Sequence, residues 1–216
     1  MRPHVLVATV LVVGVAWIAW RSQLWTVARP GEAPLPLVLR TAAARTPVAL
    51  DEILPAVPVG TERLASGRGV LLVHYWAPWE HGSREQAVGL DSLRQLPELR
   101  GLRVAVVCFD PFPSVARFVA RQRLRLSVLI DRRGALRSVL PCPSVPYTYV
   151  LDGAGRLAVA QAGEVDWWAP ATRAALVSLL GEPSARRDRT PAASLPTNPA
   201  RLAPATGAHV ASARQP

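Results

Sequence analysis

The order of apolar and helical stretches predicts an α/β fold, a three-layer sandwich around a mixed β-sheet. Three observations carry this. Val70–Trp76 and Leu102–Phe109 are continuous apolar runs without alternation, the pattern of strands covered on both faces. Stretches with helical character fall around and after them, at about 82–96, 114–124 and 168–180. Tyr147–Leu151 and Arg156–Ala160 flank Asp152-Gly153-Ala154-Gly155, which reads as an antiparallel hairpin. The order is β-α-β-α-β-β-α.

At the N-terminus, Val5–Trp20 carries no charge and is almost wholly apolar, between Arg2 and Arg21. It is short for a membrane span, but Pro3 and the interfacial pair Trp17 and Trp20 extend it. A cleavable signal peptide is the competing reading. The exit Ala16-Trp17-Ile18-Ala19-Trp20-Arg21 is bulky where cleavage needs small residues, so an uncleaved signal anchor over residues 1–22 is expected. Residues 23–59 read as a juxtamembrane linker punctuated by Pro30, Pro34, Pro36, Pro47, Pro55 and Pro58, with Leu37-Val38-Leu39 as a minor strand. Residues 60–181 are the folded domain. Ser114–Arg123 is its second helix, with Val115, Phe118, Val119 and Leu124 at helical spacing, and Ser127–Asp131 a further strand. Gly181-Glu182-Pro183 stops the last helix. Residues 182–216 form a Pro/Ala/Arg-rich tail, expected to be disordered because it holds too little apolar surface to offset its ordering entropy.

Net charge is +10, and all 25 basic residues are arginine. The charge gathers at Arg117, Arg121, Arg123, Arg125, Arg132, Arg133 and Arg137, opposed locally by Asp131. One reading is a solvated helix face; another is contact with anionic lipid through Arg117, Arg121 and Arg125, or with an acidic partner. No nucleic-acid module is present. No His/Cys/Asp cluster has metal-ligand spacing, and there is no P-loop, dinucleotide fingerprint or nucleophile triad, so neither metal nor cofactor is expected.

The most informative run is Tyr75-Trp76-Ala77-Pro78-Trp79-Glu80-His81-Gly82-Ser83-Arg84 at the start of the first predicted helix. Glu80 and Ser83 suit a helix start, where a carboxylate or hydroxyl satisfies free N–H groups. A polar binding site there is the sharper alternative. His81 is read as a surface residue, with a ligand or acid–base role as the alternative. His74, inside the apolar run, reads as a satisfied core histidine. Trp167 and Trp168 are expected to pack the final helix on the sheet.

Trp76, Ala77, Trp79 and Arg84 match the W-A-x-W-C-x-x-C-R frame of membrane-anchored thioredoxin-like proteins of the TlpA/ResA/DsbE type, which this chain resembles over roughly residues 60–181. Ser144-Val145-Pro146-Tyr147-Thr148-Tyr149-Val150-Leu151-Asp152 matches that family's segment around a cis-proline; the resemblance implies that Pro146 is the cis residue beside the helix start, with an ordinary trans proline before an edge strand as the alternative. The resemblance implies a thioredoxin-like sandwich, a groove built from Trp76, Trp79, His81 and Pro146, and a domain held outside the cytoplasmic membrane in a periplasm-like space. It also implies thiol–disulfide exchange, but the two redox positions are Glu80 and Ser83. A carboxylate or hydroxyl cannot exchange with a disulfide.

Two cysteines remain. Cys108 ends a predicted central strand, and Cys142 lies four residues before Pro146. Separate thiols and a disulfide are both open readings. Three functions follow: a non-catalytic envelope module that binds a protein partner, an oxidoreductase using Cys108 and Cys142, or a basic adaptor at the membrane surface.

Overall fold

The computed structural model describes residues 26–27 and 33–183. The Val5–Trp20 run and the segment from residue 184 lie outside them. Among the described residues, no helix is long and apolar enough to cross a membrane.

The strands are β1 (Thr26–Val27), β2 (Asp51–Val57), β3 (Thr61–Ala65), β4 (Leu71–Tyr75), β5 (Arg103–Cys108), β6 (Val128–Ile130), β7 (Ser144–Val145), β8 (Tyr147–Leu151) and β9 (Leu157–Ala162). The helices are α1 (His81–Leu93), α2 (Phe112–Gln122), α3 (Ala135–Val139) and α4 (Pro170–Gly181). A seven-stranded sheet runs β3-β2-β6-β5-β4-β8-β9. β4, β5 and β6 are parallel neighbours; β2 and β8 join them antiparallel on either side. The sheet is mixed, as the sequence predicts.

Both faces are buried, and strand alternation assigns each residue to one of them. Leu72, Val106, Val128 and Ile130 face a core shared with α1 (Ala87, Leu90, Leu93), α2 (Val115, Phe118, Val119) and α4 (Leu176, Leu179). Leu71, Val73, Tyr75, Ala105, Val107 and Leu129 face the other core, closed by Leu136 of α3 and by Leu54 and Leu64 of the β2–β3 hairpin.

The structure corrects the linker. Residues 51–57 form β2 within the main sheet, and Leu37 and Leu50 are buried. Leu37–Leu39 makes no strand. Instead the Leu37 amide donates to Thr172 Oγ1 of α4, and Leu35 bridges to Val165. The fold also extends past residue 181, because Glu182 accepts a 2.6 Å hydrogen bond from Arg45, which also holds buried Asp152.

Polar side chains set the connections. Asp91 of α1, nearly buried, accepts the amides of Arg125 and Leu126 and so fixes the entry to β6. Gln86 pairs with both backbone groups of Val165, tying α1 to the segment before α4. Asp131, the acid that stands among the arginines of residues 117–137 in the sequence, is buried and accepts the Arg137 amide.

Candidate functional site

β4 ends at Tyr75, and the chain turns through Trp76–Trp79 into α1. Glu80 is the N-cap, with extended backbone; its carboxylate accepts the amides of Gly82, at 3.1 Å, and of Ser83. This is the capping expected of Glu80. Ser83 does not share it. The Glu80 side chain already takes the Ser83 amide, and the Ser83 hydroxyl is fully buried with no hydrogen-bond partner.

A second carboxylate approaches the same helix start. Glu164, after β9, lies over Gly82, and a β-carbon on Gly82 would fall 1.9 Å from its Oε1. Partial burial, then the charges of Glu80 and Glu85, hold the Glu164 carboxyl above its ordinary pKa, with His81 opposing. His81 is exposed and sits 3.6 Å from Glu85, one turn on.

The four expected groove residues do not form one surface. Trp76 is fully buried, because it continues the Leu72–His74 side of β4 inward and packs on Phe118 at 4.6 Å. Pro146 follows a cis peptide bond, as the resemblance implies, but is itself buried. Only Trp79 and His81 face solvent, and they line different hollows. One, of about 560 Å³, is bordered by His81, Glu85, Val88 and Trp168. The other, of about 380 Å³, is bordered by Pro78, Trp79, Asp110 and Arg117. Both are bordered by Arg84, Phe118 and Arg121. The open surface at this end of the molecule therefore runs between α1 and α2.

Trp167 is buried, and its ring edge reaches under α1 at Gly89, where a β-carbon would meet it at 3.0 Å. Trp168 instead turns outward and is 52% exposed, contrary to its expected packing role. In the loop before α4, consecutive side chains point opposite ways. The first large hollow was missed from the sequence; its signal was Arg84, Val88 and Trp168 together, which only the fold brings side by side.

His74 is half satisfied. Nδ1 lies 3.0 Å from Thr148 Oγ1, Nε2 has no partner, and the ring meets Trp167 edge-on at 5.7 Å. Complete burial pushes its pKa down to about 3.

Cys108 and Cys142 are both free thiols. Cys108 is buried, with its thiol donating toward Asp110 Oδ2 at 3.4 Å, and burial holds its pKa well above the ordinary thiol range. Cys142 is half-buried, donates to the Ser144 carbonyl at 3.1 Å, and is pushed up to about 12 by burial, with Arg137 opposing. Neither is placed where an exposed thiolate forms. Among the described residues, no group of three or more His, Cys, Asp or Glu side chains could hold a metal ion.

The fold is thioredoxin-like. It is similar to a secreted thiol-disulfide isomerase from Corynebacterium glutamicum, with a TM-score of 0.58 at 19% identity over 73% of this chain and 98% of that one. A Chlorobium tepidum protein designated as the thiol:disulfide interchange protein DsbE aligns with a TM-score of 0.57 at 19% identity over 63% of this chain and 98% of its own. StoA from Bacillus subtilis aligns at 0.51 and 13% identity over 62% and 98%. No protein-family model matches the chain, and no curated protein sequence does. At these identities the shared property is the fold; the site of this chain carries Glu80 and Ser83.

Proposed function

We propose that this chain is a thioredoxin-fold protein without thiol–disulfide exchange at α1, which uses the surface around that helix start to bind a protein partner. One observation carries the reading: the Glu80 carboxylate, bonded to the Gly82 and Ser83 amides, stands where exchange needs a thiolate. Val5–Trp20 would hold the protein in the cytoplasmic membrane with its domain outside. The apolar run with its bulky exit supports this, as does the secreted nature of one similar structure.

A second reading, an oxidoreductase working through Cys142, is favoured by the thiol:disulfide interchange proteins among the similar structures and by the half-buried position of Cys142 close before Pro146. Its raised pKa opposes it, since little thiolate forms near neutral pH. An insulin-reduction assay on the full-length chain separates the two. The proposed function gives no turnover above the uncatalysed rate; turnover abolished by Cys142→Ser establishes the second reading instead. Mass spectrometry of the mature N-terminus tests the anchor, and a new terminus near residues 20–30 would refute it.

A further inference from the structure

We infer that the trough between α1 and α2 binds an acidic peptide segment of a partner protein, a proposal that rests on the protein-binding reading above. The two hollows adjoin along Arg84, Phe118 and Arg121, which border both, and extend to Trp79 on one side and Trp168 on the other. Both indoles are more than half exposed, at 55% and 52%. Phe118 and Val88 supply apolar surface along the path, while Arg84, Arg117 and Arg121 supply guanidinium groups.

Those three arginines form no ion pair among the described residues; the Arg117 Nε–H donates only to the Pro113 carbonyl. Two carboxylates border the trough without neutralising them. Glu85 is turned to His81, and Asp110 accepts the Cys108 thiol. Arg125, grouped with Arg117 and Arg121 on sequence alone, is not part of this surface: it donates to Gln95 at 3.0 Å. The structure puts Arg84 in its place.

Unpaired guanidinium groups between exposed indoles match carboxylates on an extended chain. Each fork can take a carboxylate through paired N–H donors, and tryptophan and arginine dominate the energetics of such contacts. The shape favours peptide over bilayer. The three arginines border hollows between two helices that a single strand of peptide can enter.

The test measures, by fluorescence polarisation, binding of a labelled Glu-Leu repeat peptide of roughly ten residues to the full-length chain in nanodiscs of zwitterionic lipid. A Gln-Leu peptide serves as the neutral control. The variant R84Q/R121Q is compared with R132Q/R133Q, which removes the same charge from exposed positions after β6. Affinity for the acidic peptide falls at least about tenfold in R84Q/R121Q and less than about twofold in R132Q/R133Q. Equal binding of the neutral peptide, equal loss in both variants, or no binding by the wild type overturns the proposal. So does adsorption to anionic vesicles that depends on Arg84 and Arg121 in the absence of peptide affinity. Turnover in the insulin assay would overturn the non-catalytic reading and leave these binding outcomes as they are.

Discussion

The Glu164 carboxylate rests on Gly82, so the first turn of α1 is approached by two acids, Glu80 capping it and Glu164 lying across it. A β-carbon at residue 82 would displace the second acid from this position. Its pKa is raised by burial and by Glu80 and Glu85. A carboxyl whose folded pKa exceeds its unfolded value contributes stability below the unfolded pKa, and that contribution is lost as pH rises through the folded pKa. Glu164→Gln should therefore raise the Tm at pH 7 and leave it nearly unchanged at pH 4. A wild-type protein more stable than E164Q at pH 7 would contradict this.

Glu80 and Ser83 should respond in opposite directions. Glu80→Ala removes the cap and should cost about 1 kcal/mol in denaturant unfolding. Ser83→Ala removes a buried hydroxyl that has no partner, so it should be neutral or stabilising by up to about 1 kcal/mol. A loss of stability in S83A would show that the hydroxyl is bonded in solution. The double variant E80C/S83C should fold with a modest loss of stability and gain reductase activity. It places one thiol at the partly exposed cap and the other in the buried position beside it. A folded E80C/S83C without activity would show that the helix start no longer supports exchange.

Alkylation should find both native thiols slow. With Cys142 pushed up to about 12 and Cys108 higher than the ordinary thiol range, iodoacetamide at pH 8 should modify each about two to three orders of magnitude more slowly in the native protein than in denaturant. Rapid native modification of Cys142 would favour the oxidoreductase reading.

His74 should make the protein acid-sensitive. Its folded pKa, about 3, lies below the ordinary histidine value, so the unfolded chain binds the proton first. The stability it confers is present above about pH 6.5 and declines as pH falls toward 3, by up to about 1.4 kcal/mol per pH unit. Replacing both partners, as in H74L/T148V, should flatten the Tm between pH 6.5 and 4 without leaving the Thr148 hydroxyl unpaired. An unchanged slope would assign the acid sensitivity elsewhere.

The central strands were legible because β4 and β5 are apolar on both faces, and the β8–β9 hairpin because Asp152–Gly155 marks its turn. β2 was hidden by Pro55, which ordinarily argues against a strand. The structure tolerates it because residues 51–55 pair only with β3, and only Ala56 and Val57 pair with β6. The motif around Trp76 suggests a groove, while its parity with Leu72 and His74 places it inward. It shares the inward face of Leu72, whose side chain points to the helices. The trough was not legible, since Arg84 and Arg121 are far apart in sequence and their proximity is a property of how α1 and α2 dock.

β1 gives the N-terminal chain a second attachment. Thr26 and Val27 pair in parallel with Ser144 and Val145, immediately before Pro146. Only five residues separate Trp20 from Thr26, a stretch that spans at most about 20 Å when fully extended. If Val5–Trp20 sits in a bilayer, the effective leash is this short piece and not the whole stretch to β2. The domain is then tethered by its Ser144–Val145 edge, which limits both its height above the membrane and the directions from which a partner can approach.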